Sequence, residues 1–154
     1  MAAYSYLAQK DTDTAGGAEL QQVLLAREMI KKGLDISFIV DDYGQQSVEN
    51  VDGIKIFKFP NNHFTNVRQY PLRVHTLWKM LKNVNADVYY QRAARAETGI
   101  IALFCKLNNK KFIYGMASDI EVNGTFINTY KFYEVFLYNY GLKNADIIIY
   151  FRKI

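Results

Sequence analysis

The chain has 154 residues, half of them apolar, with a formal net charge of +4 and one cysteine. This size fits one ordinary domain with its own core. The apolar half of the chain excludes a disordered protein. A single thiol excludes an internal disulfide and indicates a reducing compartment, and no apolar run reaches the length of a membrane span, so we predict a cytoplasmic protein.

Strand-like and helix-like segments alternate along the chain, which is the pattern of a parallel sheet wrapped by helices. The first strand is predicted at Ala2–Ala8, followed by a polar loop and by a helix that begins near the glycine pair Gly16-Gly17. The apolar residues of this helix lie on more than one side, which predicts cover on more than one side. Lysines in its last turn and Gly33 just beyond form a favourable helix end.

Five further strands and three further helices are predicted. The strands are expected at residues 36–40, 54–59, 87–91, 111–116 and 146–151, and the helices at residues 69–83, 97–107 and 125–142. Elements in this order predict a Rossmann-like, doubly wound parallel α/β sheet with the spatial order 3-2-1-4-5-6. Such sheets bind ligands at the carboxyl ends of their strands, where the order reverses. The loops after strands 1, 4 and 5 are therefore the expected site.

The glycine pair Gly16-Gly17 suits a ligand at the start of the first helix. Free backbone amides and the helix dipole attract a phosphate or another anion there, and glycine leaves room for it. The alternative is a tight turn that needs glycine for closeness alone, and the two explanations are equally supported. The spacing matches neither the Gly-x-Gly-x-x-Gly of a dinucleotide site nor a phosphate-binding loop with Lys-Ser or Lys-Thr.

The run from Gly16 to Ser37 resembles the N-terminal region of glycosyltransferase family 4, whose members often show Gly-Gly-Ala-Glu, a helix ending in Lys-x-Gly and a strand straight after. The similarity continues, in the same order, in Ala86–Arg92, Lys110–Tyr114 and Ala145–Ile149. The resemblance implies one half of the two-domain GT-B architecture. Residues 1–154 are expected to form its single N-terminal, acceptor-side domain, without the C-terminal donor-binding domain.

By this resemblance the protein belongs to an enzyme that transfers a sugar from a nucleotide-sugar donor to a glycan or lipid-linked acceptor. A hexosyltransferase of cell-envelope polysaccharide biosynthesis is implied, acting with retention and with neither a metal nor a cofactor. The isolated chain is expected to be inactive and to bind nucleotide sugars weakly, because most donor contacts in the family come from the other half. That half, on a further segment or a second chain, is an expected partner, and nucleic acid is not.

Three loops supply the predicted site residues. The substrate-binding residues are Gly16, Gly17 and Glu19 after strand 1, Arg92 and Arg95 after strand 4, and Ser118 after strand 5. The two guanidinium groups suit a phosphate or a sugar acid, with pairing to Glu97 or exposure to solvent as the alternative. Many family members carry a histidine near Ser118, and serine cannot act as a near-neutral acid or base in its place. Asp119 is the catalytic candidate, able to orient a sugar hydroxyl, with capping of the following turn as the alternative.

The second helix has a basic face opposite its apolar stripe. That face carries Arg68, His75, Lys79 and Lys82. It would suit peripheral contact with anionic lipid at the inner face of a membrane, although simple solvation is the commoner explanation. Cys105 lies in an apolar helical stretch and is predicted to be buried and inert.

Two other functions compete with the glycosyltransferase. One is a nucleotide-binding Rossmann oxidoreductase in which Asp41 or Asp42 reaches a ribose, although the missing third glycine argues against it. The other is a non-catalytic, truncated half that binds an acceptor or a partner chain.

Overall fold

The protein has an α/β fold in a computed structural model that describes Tyr4, Leu7 and residues 17–60, 69–116 and 131–150. The chain divides into two compact units, Met1–Arg73 and Val74–Ile154. The described helices are α1 (Gly17–Lys31), α2 (Tyr70–Val84), α3 (Glu97–Leu107) and α4 (Phe132–Lys143), and the strands are β1 (Ser37–Val40), β2 (Val48–Val51), β3 (Ile54–Lys58), β4 (Val88–Arg92), β5 (Lys111–Met116) and β6 (Ile147–Tyr150).

The sheet of the first unit is mixed, with the order β1-β3-β2. β1 and β3 are parallel, as predicted for the second and third strands, and Ser37 lies opposite Lys55. β2 was not predicted, and it pairs with β3 in antiparallel fashion. The two strands are joined by Asp52-Gly53, whose φ angles of 53° and 81° are both left-handed. Asp-Gly favours this two-residue hairpin turn because both residues adopt left-handed φ readily.

Tyr4 and Leu7 are helical, so the strand predicted for Ala2–Ala8 is wrong at these two positions. A short apolar run fits a strand or a helix equally well by its pattern. Here the spacing of three residues places both side chains on one side of a helix. Both are buried, and they belong to a core formed with apolar side chains of α1, β1 and β3.

Helix α1 ends as its sequence predicts. Gly33 has a left-handed φ of 84°, and its N–H bonds the Ile30 carbonyl at 2.8 Å while the Leu34 N–H bonds the Met29 carbonyl at 3.2 Å. This pair of bonds is the Schellman motif. The predicted cover on more than one side is not found, because three leucines of α1 remain 40–51% exposed. They are Leu20, Leu24 and Leu25.

The sheet of the second unit is entirely parallel, with the order β4-β5-β6. Arg92 at the end of β4 lies opposite Gly115 of β5, and Met116 of β5 lies opposite Tyr150 of β6. This arrangement confirms the neighbours predicted for the last three strands. The described strands form two three-stranded sheets, one of them mixed, rather than one all-parallel sheet of six. The order 3-2-1-4-5-6 of the predicted strands is not shown, and it would need a strand 1 at Ala2–Ala8, where Tyr4 and Leu7 are helical.

Helices α3 and α4 touch through their backbones. A Cβ atom at Gly99 of α3 would overlap the main chain of Leu137, and one at Gly141 of α4 would lie 2.7 Å from main-chain and side-chain atoms of Thr98. Glycine at both positions therefore allows the close approach. Helix propensity alone would disfavour glycine in a helix interior, by ~1 kcal/mol relative to alanine.

Helix α4 begins at Phe132, and Lys131 is not helical, so the predicted uninterrupted helix 125–142 is wrong at Lys131. The Lys131 backbone is extended, with φ −67° and ψ 149°, and its N–H donates to the Glu134 carboxylate at 2.9 Å. A glutamate at the third helical position commonly accepts such a bond and so defines a helix start. Residues 125–130 of the predicted helix lie outside the described residues.

Candidate functional site

The carboxyl end of β4 carries the best-defined group of predicted site residues. The five strand residues alternate in burial: Tyr89 and Gln91 are buried, whereas Tyr90 and Arg92 are half-buried. Successive side chains of a strand point to opposite faces, so Tyr90 and Arg92 share one face of the sheet. Arg92 is therefore the last residue of β4, whereas the sequence placed it in the loop that follows the strand.

Ala93 turns the chain out of the sheet in a conformation that alanine rarely adopts. Its φ is 73°, and its N–H bonds the Gly115 carbonyl at 3.3 Å. A left-handed conformation costs a non-glycine residue roughly 1–2 kcal/mol because Cβ approaches the next carbonyl oxygen. Strained residues of this kind cluster at functional sites. The strain therefore lies directly beside Arg92.

The residues after this turn place Arg95 in solvent. Ala94 and Ala96 are buried, whereas Arg95 is exposed between them. The Arg95 carbonyl accepts a hydrogen bond from the Thr98 N–H at 3.2 Å, in the first turn of α3. The backbone of Arg95 thus starts the helix while its guanidinium group adds positive charge to the same end of the sheet. Arg92 and Arg95 both belong to the second unit.

Gly17 and Glu19 belong to the first unit, where they lie in the first turn of α1. Gly17 is exposed, its φ lies outside the left-handed region, and a Cβ atom there would meet nothing within 4 Å. Among the residues that the structure describes, nothing in backbone strain or packing therefore requires glycine at position 17. The choice between a tight turn and a ligand site at the glycine pair therefore stays a prediction. Gly16, Ser118 and Asp119 lie outside the described residues.

One of the two aspartates that an oxidoreductase could use near a ribose, Asp42, has local partners. The Asp42 carboxylate accepts a hydrogen bond from the Gly44 N–H at 2.9 Å and lies 3.4 Å from the Lys58 ammonium. The backbone bond from Gly44, more than the charge of Lys58, lowers the pKa of Asp42. Asp42 therefore shapes the turn after β1, which is a structural role.

A surface groove of about 430 Å³ lies in the first unit. It is lined by Leu24, Arg27, Glu28, Ile30, Lys31 and Asp52. Its ionic side chains pair with one another, Arg27 with Asp52 at 2.7 Å and Lys31 with Glu28 at 2.6 Å. It contains none of the predicted site residues.

The remaining candidates are an exposed helix face and a buried thiol. His75, Lys79 and Lys82 of α2 are exposed, and Arg68 lies outside the described residues. Cys105 is buried, 2% exposed, and burial raises the pKa of its thiol to about 12. The thiol therefore stays protonated at physiological pH and is a poor nucleophile, as predicted.

Tyr90 and Gly115 are neighbours of the site that the sequence analysis did not single out. The Tyr90 ring lies over Gly115 of β5, where a Cβ atom would come within 2.5 Å of the phenol oxygen. A glycine inside a strand commonly indicates close approach of another group. Gly115 was visible within the predicted strand, but the sequence did not show that Tyr90 is the group that approaches it.

Comparisons with known proteins give no match: no protein-family model, curated protein or solved structure is similar to this chain. The likeness to glycosyltransferase family 4 thus depends on the sequence segments named above. Across the described ranges, no three His, Cys, Asp or Glu side chains gather as a metal site would need. None of the described helices is both long enough and apolar enough to cross a bilayer.

Proposed function

We propose that this chain is the acceptor-side domain of a family 4 glycosyltransferase with the GT-B architecture. In the proposed enzyme a nucleotide sugar is the donor, and the sugar is transferred with retention to a glycan or lipid-linked acceptor of the cell envelope. A location at the cytoplasmic side of the membrane belongs to the same proposal.

One observation supports the proposal: the segments that resemble the family form a helix and three strands in the order predicted from the sequence. The Gly-Gly-Ala-Glu segment leads into α1, and the later segments Ala86–Arg92, Lys110–Tyr114 and Ala145–Ile149 supply β4, β5 and β6. These strands are parallel neighbours in that order. Ligands of parallel α/β sheets bind beyond the carboxyl ends of the strands, which is where Arg92 and Ala93 lie.

Of the two competing functions, the oxidoreductase has less support. The oxidoreductase needs a carboxylate that is available to a ribose, and the Asp42 carboxylate instead bonds the Gly44 N–H. A purely binding half agrees equally well with the fold. It differs from the enzyme only in whether transfer occurs once a donor-binding domain is supplied.

The test is Gly17→Val in an enzyme formed by joining this chain to a family 4 donor-binding domain. We expect the variant to melt within a few degrees of the parent, because the new side chain enters open space. It should abolish the release of nucleoside diphosphate from a panel of UDP- and GDP-sugars. The added methyl groups would block the approach of a ligand to the first amides of α1.

Gly33→Ala is the matched control. Its left-handed φ of 84° strains any other residue, so this variant should lose about 1 kcal/mol of stability while its activity persists. Full activity of Gly17→Val would show that this helix start does not face the reacting sugar. Failure of the parent enzyme to use any nucleotide sugar would refute the glycosyltransferase itself.

A further inference from the structure

Two adjacent tyrosines of β4 have opposite roles. The Tyr89 hydroxyl donates to the Leu81 carbonyl at 2.7 Å and accepts from the Ala86 N–H at 3.1 Å, so its polar atom is used within the core. The Tyr90 side chain is half-buried on the other face, and its hydroxyl makes no hydrogen bond with any residue that the structure describes. Tyr89 is therefore a structural residue, whereas the Tyr90 hydroxyl remains available.

The Tyr90 hydroxyl is held near the carboxyl end of the sheet. The Tyr90 ring crosses β5 at Gly115, which is the residue directly opposite Arg92. Any side chain at position 115 would displace the ring, since a Cβ atom would lie 3.0 Å from the Tyr90 Cε2 atom. Gly115 thus creates the space in which the phenol lies on the same face as the Arg92 guanidinium.

The electrostatics agree with this placement. Burial raises the pKa of Tyr90, while the nearby positive charge of Arg92 acts in the opposite direction. The phenol is therefore neutral at physiological pH and both donates and accepts hydrogen bonds. A guanidinium group beside it offers a planar, permanently charged fork for a carboxylate or a phosphate.

We infer that Tyr90 and Arg92 form an acidic-sugar subsite in which Arg92 binds the carboxylate or phosphate of the sugar and Tyr90 hydrogen-bonds a hydroxyl group beside it. This inference rests on the proposed function, since it names the acceptor class of that same site. The turn at Ala93 carries the chain away from this face and leaves the exposed Arg95 to add positive charge nearby. Tyr90 is a specificity-determining residue in this assignment, and Arg92 supplies the affinity.

The experiment is a nuclear magnetic resonance titration of the full chain, labelled at its tyrosine rings and arginine Nε atoms. The probes are glucuronate, glucose 6-phosphate, neutral glucose and inorganic phosphate. Both acidic sugars should shift the Tyr90 and Arg92 signals and bind more tightly than glucose or inorganic phosphate. Whichever of the two acidic sugars binds more tightly shows whether the site prefers a carboxylate or a phosphate. Equal binding of inorganic phosphate and glucose 6-phosphate would overturn the inference, because no hydroxyl would then be recognised.

Three variants separate the subsite from a merely structural effect. Arg92→Gln should weaken acidic-sugar binding by ~10-fold or more, the loss typical of a charged hydrogen bond. Tyr90→Phe should weaken it by about 5-fold without lowering the melting temperature, as expected for one neutral hydrogen bond. Tyr89→Phe is the matched control: it should lower the melting temperature and leave the affinity unchanged. Unchanged affinity in Tyr90→Phe would refute the assignment.

The outcome is independent of the test of the proposed function. Acidic-sugar binding that depends on Tyr90 and Arg92, without transfer in the enzyme joined to a donor domain, would support the subsite and refute the glycosyltransferase. Transfer without such binding would support the enzyme and overturn the subsite.

Discussion

Replacing Gly99 with alanine tests the closest helix contact of the second unit. The new methyl carbon would lie 2.8 Å from the carbonyl carbon of Leu137 and 3.0 Å from its Cα atom, and closer still to its carbonyl oxygen. Carbon atoms pack best at roughly 3.5–4.0 Å, so α3 and α4 would have to separate locally by roughly 1 Å. The contact is with main chain, which cannot rotate away as a flexible side chain would.

The magnitude follows from two opposing contributions. Forcing an extra methyl group into a packed interior costs about 1–3 kcal/mol, and a backbone contact favours the upper end of that range. Alanine offsets ~1 kcal/mol of this cost through its higher helix propensity than glycine. We therefore expect Gly99→Ala to lower the free energy of unfolding by about 2 kcal/mol.

The chain has one tryptophan, Trp78, which reports on this unit. Trp78 packs edge-on against Phe104 of α3, with the ring centroids 5.2 Å apart. Urea unfolding followed by tryptophan fluorescence should show a lower midpoint for Gly99→Ala with an unchanged slope. Gly141→Ala disturbs the same helix crossing, so the double variant should lose less stability than the sum of the two single losses.

Gly17→Ala is the matched control, since the same methyl group enters open space there. Circular dichroism should show it to be as stable as the parent or slightly more stable. A Gly99→Ala variant that is at least as stable as the parent would refute the close crossing. Strict additivity of the Gly99 and Gly141 effects would refute the shared contact.

Two further substitutions test local features of the second unit. Ala93→Gly should raise the free energy of unfolding by up to ~1 kcal/mol, because relief of the left-handed strain exceeds the added freedom of the unfolded chain; a lower urea midpoint would contradict this. The hydrogen bond from the Lys111 ammonium at 2.7 Å, with a second from the Phe112 N–H at 2.9 Å, lowers the pKa of Asp146 below its ordinary value of 3.8. The stabilisation by Asp146 is therefore fully present above pH 3.8 and is lost as the pH falls through the lower folded pKa. Asp146→Asn should flatten the acid dependence of stability in that range, and an unaltered acid dependence in chemical unfolding would exclude this role.

Local signals predicted most of the elements well. The helix at Glu97–Leu107 and the strand at Lys111–Met116 have their predicted bounds, and Gly33 ends α1 as expected. These features depend on periodicity and on the conformational preferences of single residues, both of which are visible in a short stretch of sequence. The hairpin at Asp52-Gly53 was equally visible, since this dipeptide is a strong turn signal, although the strand before it was not predicted.

The candidate site could be predicted only in part. The position of Arg92 at the end of a strand follows from the strand itself. The left-handed turn at Ala93 does not, because alanine has no preference for that conformation and only the surrounding structure imposes it. Gly17, by contrast, is equally suited to a tight turn or to a ligand by its sequence, and the structure adds that no described residue lies within 4 Å of a Cβ atom there.

The sequence by itself determined most of the longer helices and strands, because short-range periodicity and helix-end chemistry act within a few residues. Tertiary structure alone decided what each face meets. Tyr89 and Tyr90 are adjacent and chemically identical, yet one is bonded within the core and the other lies over Gly115 beside Arg92. Position 99 requires glycine because the main chain of Leu137, a residue of another helix, packs against it. Alternation along a strand fixes which side chains share a face of the sheet. The residues that pack against that face are distant in the chain.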